Sequence, residues 1–414
     1  MAATETNQTI EAVWRIEAAR VIAGVARLVG DLGLAEELAQ DALVAALEQW
    51  PSEGVPRNPG AWLTTTAKRR AIDQIRRRER FERSLPDLVV PETAETTDFD
   101  AVLQEEPIPD DLLRLIFTAC HPVLSAEARV ALTLRLLGGL TTDEIARAFL
   151  VPSPTIGQRI SRAKKTLAEA RVPFELPVGA DRTERLDSVL EVIYLIFNEG
   201  YSATAGDDWL RPALCEEALR LGRILAGLMP AEPEVHGLVA LLEIQASRTP
   251  ARTGPSGEPI LLLEQDRRRW DRLLISRGLA ALQKAEALGG GTYTLQAAIA
   301  ACHARARTAE ETDWAEIAAL YARLAERAPS PVVELNRAVA VSMAEGPVAG
   351  LAVLEPLLAE PALRHYHLLP SVRGDLLARL GRAPEAKAEF ERAAELTRNE
   401  RERILLLDRA AACD

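Results

Sequence analysis

Thr155, Gln158, Arg162 and Lys165 recur at intervals of three and four residues. This places hydrogen-bonding and cationic side chains on one side of a helix. Ser161 joins them and Arg159 flanks them, while Ile156, Ile160, Ala163 and Leu167 form a narrow apolar stripe opposite. Such a helix suits the major groove of duplex DNA, where outward side chains meet base edges and phosphates. Its expected start is Ser153 followed by Pro154, an N-cap hydroxyl and then a proline where no amide bond is lost. Just upstream, Thr141 and Glu144 have the spacing of a capping box that opens a shorter helix. The stretch from Leu140 to Leu167 therefore reads as a helix-turn-helix whose second helix is the reader. Taken alone, it is equally the pattern of an ordinary surface hairpin.

A second basic element removes much of that ambiguity. Residues 57–83 hold nine Lys and Arg against three Asp and Glu, a net of +6 in a chain whose total is −12. Asn58 is placed to cap a helix, with Pro59 in its first turn. Leu63, Ala67, Ala71 and Ile75 form its apolar stripe, widened by Ile72, while Trp62, Thr65, Arg69, Asp73 and Arg76 cluster opposite. A tryptophan among arginines suits stacking on an unpaired base while the cations hold phosphates. The alternative is a solvated charged helix with Trp62 folded back onto a neighbour.

The first 172 or so residues resemble a bacterial sigma factor of the extracytoplasmic-function (ECF) type. AEELAQDALVAALEQW (35–50) and NPGAWLTTTAKRRAIDQIRRR (58–78) are similar to region two, and residues 124–167 are similar to region four. The remainder resembles the long tetratricopeptide-like extension carried by one ECF group. The resemblance implies that Leu34, Glu37, Leu38, Gln40, Asp41 and Leu47 dock on the clamp helices of the RNA polymerase β′ subunit, with the β flap as a further contact. It implies that Asn58, Trp62, Lys68, Arg69, Asp73 and Arg76 sit at the minus-ten element, where one strand is captured. Ser153, Thr155, Gln158, Arg159, Arg162 and Lys165 would read the minus-thirty-five element as duplex. Gly157 departs from a helix-favouring residue inside the reader, at about 1 kcal/mol in propensity.

The expected fold is all-α, from 4% aromatic content, abundant Ala, Leu, Glu and Arg, and no useful strand alternation. The expected domains are region two at 8–83, an acidic linker at 84–108, region four at 109–172, and a helical extension at 181–414. Residues 84–111 contain nine acidic residues and no Lys or Arg, so the net acidity of the chain is unevenly spread. That segment reads as an extended spacer or, by resemblance to sigma linkers, as an acidic strand lying in a nucleic-acid channel. Neither a signal peptide nor an apolar run of membrane-spanning length is visible, so a cytoplasmic protein without membrane association is expected.

Four cysteines lie far apart with no CxxC spacing, which suggests neither a zinc site nor a disulfide framework. The five histidines form no recognisable catalytic constellation, and the run Gly289–Gly291 lacks the residues of a phosphate loop and reads as a helix breaker. No enzymatic activity, metal or cofactor is expected.

In the extension, Gly374, Leu377, Gly381, Ala386, Phe390, Ala393 and Leu396 alternate small and large residues as interlocking helix pairs do. The segment with Asn198, Glu199, Gly200, Tyr201, Trp209 and Arg211 reads either as a docking surface or as a capped helix end with an internal network. Arg248, Arg252, Glu258, Glu264, Asp266, Arg267, Trp270 and Asp271 surround a Pro/Gly loop, suggesting salt bridges between repeats or a seam facing the sigma regions, an intramolecular contact. The overall reading is a sigma factor that directs core RNA polymerase to promoter DNA, with an attached regulatory extension. The alternatives are a helix-turn-helix regulator with a sensing domain, or a scaffold.

Overall fold

A computed structural model describes residues 2–83, 109–149, 151–202, 210–255 and 257–413. The expected linker, 84–108, and Trp209 lie outside the described residues. Among those residues the chain is helical, with no named strand and one isolated antiparallel bridge between Thr253 and Pro259. It divides into two compact units, Met1–Ile193 and Tyr194–Asp414.

The first unit opens with three long helices: α1 (Ala2–Val29), α2 (Leu32–Glu53) and α3 (Pro59–Arg83). Local chemistry sets their ends. Asp31 accepts the Leu34 amide at 2.7 Å to cap α2, and Gly54, at φ 86°, turns the chain after it. Asn58 accepts the Ala61 amide at 3.1 Å, the predicted cap of α3. Ala35, Ala39, Ala42 and Ala46 of α2 and Ala67 and Ala71 of α3 are fully buried, and these small residues let the three helices approach closely.

Four helices follow: α4 (Pro109–Ala119), α5 (Ala126–Leu136), α6 (Thr142–Phe149) and α7 (Ser153–Glu169). The predicted capping box forms reciprocally: Glu144 N donates to Thr141 Oγ1 at 3.2 Å, and Thr141 N donates to Glu144 Oε2 at 2.8 Å. Next comes α8 (Gly179–Tyr201), whose first half packs against α4 and α5. Within it, Arg185 Nη2 donates to Phe117 O at 3.2 Å and Ser188 Oγ donates to Cys120 O. Both carbonyls belong to the end of α4, where helical partners run out.

The second unit contains α9 (Pro212–Leu228), α10 (Pro233–Ala246), α11 (Arg272–Ala287), α12 (Thr292–Arg305), α13 (Trp314–Arg327), α14 (Pro331–Glu345), α15 (Pro347–Leu354), α16 (Leu368–Arg379), α17 (Ala383–Leu396) and α18 (Glu400–Ala411). Its core is a relay of clusters. One joins α10, α11 and α12, the next joins α12, α13 and α14, then α14, α15 and α16, then α16, α17 and α18. Each helix shares its apolar surface with successive neighbours, as a helical array requires. The predicted interlock of α16 and α17 is present: a Cβ at Gly374 would stand 2.9 Å from Phe390 Cε1. The three-glycine run ends α11, with Gly289 at φ 109° and Gly290 at φ 62°.

Two polar segments of this unit resolve as internal supports. Glu199 and Arg211 form an ion pair, Tyr201 donates to Gln245 Oε1 at 3.1 Å, and Arg252 stacks over the Tyr201 ring at 3.5 Å. In the other segment two guanidinium groups capture helix-end carbonyls. Arg252 donates to Tyr201 O, and Arg267 donates to His303 O at 2.7 Å and Ala306 O at 3.0 Å. A buried guanidinium satisfies several terminal carbonyls at once, which a single carboxylate pair does not do. Asp266 pairs locally with Arg268, Asp271 caps α11, and Glu264 is exposed.

Candidate nucleic-acid interface

Two cationic helix faces stand open in the first unit. On α3, Arg69, Asp73, Arg76 and Arg77 are exposed along one side, with half-buried Trp62 at its N-terminal end. Trp62 meets the buried Trp50 of α2 edge to face, with ring centroids 5.3 Å apart and planes at 71°. It is folded onto a neighbour and still partly presented, so the two readings of this residue meet. Arg70 turns to α2, where it pairs with Asp41 at 3.1 Å.

Lys68 is a correction to the proposed minus-ten set. It is 1% exposed, although its type suits a phosphate contact. Thr64, Lys68 and Ile72 form one i, i+4 row, and all three are buried against the rest of the unit. Ile72, which widened the apolar stripe, thus draws its whole row inward.

The polar face of α7 has the exposure that the spacing predicts. Thr155, Gln158, Ser161, Arg162 and Lys165 are exposed and Arg159 is half-buried, while Ile156, Ile160, Ala163 and Leu167 are buried. The helix starts differently from expectation. Pro152 occupies the N-cap position, and Ser153, the first helical residue, donates its hydroxyl to Asp143 Oδ1 on α6. Ser153 is itself helical, one residue past the position from which a side-chain oxygen caps. Gly157 faces α6, where a Cβ would meet Thr142 Cγ2 at 3.8 Å, an ordinary contact. The helix runs through it unbroken.

On α2, Glu37, Asp41, Val44, Leu47 and Glu48 are exposed, and Leu34 and Gln40 are half-buried. Val44 and Leu47, at 50% and 42%, give this acidic face an apolar centre. Leu38 does not belong to it, because it is buried with Ala35, Ala39 and Ala42 in the core row of the helix. Sequence reasoning missed Val44, one turn from Gln40 and Asp41, and Trp50, the partner of Trp62.

Residues 15–81 match the family described as Sigma-70 region 2, and residues 114–167 match Sigma-70, region 4. An uncharacterized protein of Rhizobium meliloti is 47% identical over 388 residues, covering 92% of this chain and 91% of that one. The probable ECF RNA polymerase sigma factor SigI of Mycobacterium tuberculosis is 25% identical over 202 residues, 45% of this chain and 68% of its own length. The ECF RNA polymerase sigma factor SigW of Bacillus subtilis is 26% identical over 146 residues, 34% of this chain and 77% of its own.

The chain belongs to the ECF sigma factors of the sigma-70 family. Residues 185–286 of this sigma factor match a family of unknown function (DUF6596), so its helical extension is a feature beyond regions two and four. A sigma factor binds core RNA polymerase and promoter DNA, and initiates transcription without catalysing a reaction itself. The two open cationic faces fall one in each matched region, α3 in region two and α7 in region four.

Cys120, Cys215 and Cys302 are buried free thiols, and burial pushes Cys120 up to about 11 and Cys215 up to about 12. Among the described residues no group of three His, Cys, Asp or Glu could hold a metal ion, and no helix is long and apolar enough to cross a membrane.

Proposed function

We propose that this sigma factor captures the opened minus-ten strand on α3 and reads the minus-thirty-five duplex with α7. Trp62 offers the stacking ring, and Arg69 and Arg76, with Asn58 at the helix start, line the path of the strand. Thr155, Gln158, Arg159, Arg162 and Lys165 enter the major groove, with Arg and Gln able to make paired hydrogen bonds to bases. The observation that carries the assignment is the exposure of both cationic faces over buried apolar stripes. The acidic, partly apolar face of α2, Glu37, Gln40, Asp41, Val44 and Leu47, is suited to the clamp helices of the β′ subunit. Region four would meet the β flap.

The extension is proposed to be a tetratricopeptide-like array that regulates the sigma regions from within the same chain. Its relay of helix pairs supports that reading. Run-off transcription with core RNA polymerase on a cognate promoter tests the whole assignment. The expected result is initiation dependent on the sigma factor and on both promoter elements, and initiation indifferent to changes in either element would overturn it.

A further inference from the structure

Between α15 and α16 the chain makes two short 3-10 turns, Glu355–Ala359 and Pro361–Leu363, each with a proline at its start. These prolines fix φ and stiffen the segment. Together with α16 and α17 the turns border a cavity of about 310 Å³. Leu358, Pro361 and Leu369 supply its apolar lining, and Arg364, Arg373 and Arg392 bring three guanidinium groups from three separate elements. Leu369 also belongs to the buried cluster of α14, α15 and α16, so the apolar wall is held by the core.

The three arginines are not equivalent. Arg373 is half-buried and pairs with Glu389 of α17, while its Nε is buried and has no hydrogen-bond partner among the described residues. Arg364 and Arg392 are exposed, and neither guanidinium has an ion pair or hydrogen bond among the described residues. Their neighbours differ: Arg382 pairs with Glu385, Arg403 with Glu400 and Arg409 with Asp375. Glu360 lines the same cavity, but its Oε1 accepts the Ala362 amide at 3.3 Å and caps the second turn. Three arginines against Glu360 and Glu389 leave one positive charge over, in a chain whose total is −12.

Guanidinium forks match the oxygens of a carboxylate or phosphate two at a time. Small-molecule sites are concave, mostly apolar, carry a few placed polar groups and begin near about 300 Å³. This cavity meets each of those conditions. We propose that it binds a small organic anion, a carboxylate or phosphate ester with a compact apolar body. Arg364 and Arg392 take its oxygens, and Leu358, Pro361 and Leu369 pack against the body. The occupant ties α17 to the turns that precede α16, and so stabilises the folded array by mass action. The proposal deepens the reading of the extension as a regulator, and any effect of the anion on transcription rests on that reading.

The test is calorimetric titration of the full-length protein with phenylacetate, phenyl phosphate, inorganic phosphate and benzyl alcohol. Saturable binding to one site is expected for at least one of the two aromatic anions, and the tighter one identifies the head group. Inorganic phosphate lacks the apolar body and benzyl alcohol lacks the charge, so both are expected to bind more weakly. Arg364→Gln and Arg392→Gln are each expected to weaken the aromatic anion on the order of tenfold, the usual worth of a hydrogen bond to a charged group. Arg398→Gln, exposed and outside the cavity, is expected to bind as wild type does. Thermal melting checks that all three variants are folded. No saturable binding of either aromatic anion would overturn the site, as would unchanged affinity in Arg364→Gln and Arg392→Gln. Inorganic phosphate binding as tightly as phenyl phosphate would overturn the apolar part of the assignment. If binding is as expected but run-off transcription is the same with and without the bound anion, the regulatory reading fails while the site stands.

Discussion

Trp62 rests edge-on against Trp50, centroids 5.3 Å apart, so a buried ring on α2 fixes the attitude of a half-exposed ring on α3. An edge-to-face pair contributes about 0.5–1.5 kcal/mol beyond its buried area. It therefore orients Trp62 without hiding it, which a base-stacking platform needs. Trp62→Ala is expected to reduce promoter opening by roughly the 1–3 kcal/mol of one lost base stack, with Trp62→Phe between it and wild type. Permanganate reactivity of the minus-ten thymines measures this, alongside minus-thirty-five duplex binding, which should not change. Wild-type opening in Trp62→Ala would remove the stacking role.

The α7 face predicts a different signature. Arg162 and Lys165 are exposed, and Lys165 has Glu169 at 3.6 Å as a weak surface partner. Loss of a phosphate contact lowers the salt slope of binding by about 0.9, whereas loss of a paired base contact costs about 1–3 kcal/mol at one base pair only. Arg162→Ala and Lys165→Ala are both expected to weaken minus-thirty-five binding and leave opening of a premelted promoter intact. A salt titration on cognate and altered duplexes assigns each residue to phosphate or base. Unchanged affinity in both would remove α7 as the reader.

Periodicity carried most of the site. The stripe of Ile156, Ile160, Ala163 and Leu167 was legible because a period of 3.6 residues encodes which side is buried, and the opposite face followed from it. The capping box at Thr141 and Glu144 was legible because its chemistry is local. Lys68 and Leu38 were misassigned for one reason: each lies at the margin of its stripe, where the neighbouring helix decides burial. The Ser153 cap differs from expectation because the helix starts one residue earlier, with Pro152 at the N-cap position and Ser153 already helical. Glu36 could not be read at all, since its partners Arg135 and Lys164 are about a hundred residues or more away. In the extension, small-and-large alternation revealed the contact of Gly374 with Phe390, while the carbonyl contacts of Arg252 and Arg267 left no periodic trace.

The contacts of Arg185 and Ser188 with the end of α4 shift the boundary at which region four can be cut. Arg185 is 5% exposed, lies over the Phe117 ring at 5.8 Å and donates to its carbonyl, while Arg129 of α5 reaches Ser188 and Glu191. A chain ending at 172 hands those carbonyls and the ring to water, at about 0.5–1.5 kcal/mol for each hydrogen bond lost, besides the apolar cover of the ring. A chain ending at 193 keeps them. The longer fragment is expected to melt at a higher temperature and to retain minus-thirty-five binding, measured by circular dichroism and duplex titration. Equal melting of the two fragments would show that the first half of α8 does not support region four.

His303 makes the stability of the extension depend on pH. It packs edge-on to Trp314 at 5.1 Å, and burial, with the positive charges of Arg248 and Arg267, lowers its pKa to about 4. In the unfolded chain the same imidazole titrates near 6.5. The folded value is the lower one, so the unfolded state binds more protons between these limits and stability rises with pH there. The contribution is complete above pH 6.5 and is lost as pH falls toward 4, on the order of 3 kcal/mol in all at 1.36 kcal/mol per unit. His303→Gln keeps a neutral polar ring-sized group and is expected to flatten this segment of the pH profile. Urea unfolding of both proteins between pH 7.5 and 4.5 measures it, and parallel profiles would assign the acid sensitivity to other groups.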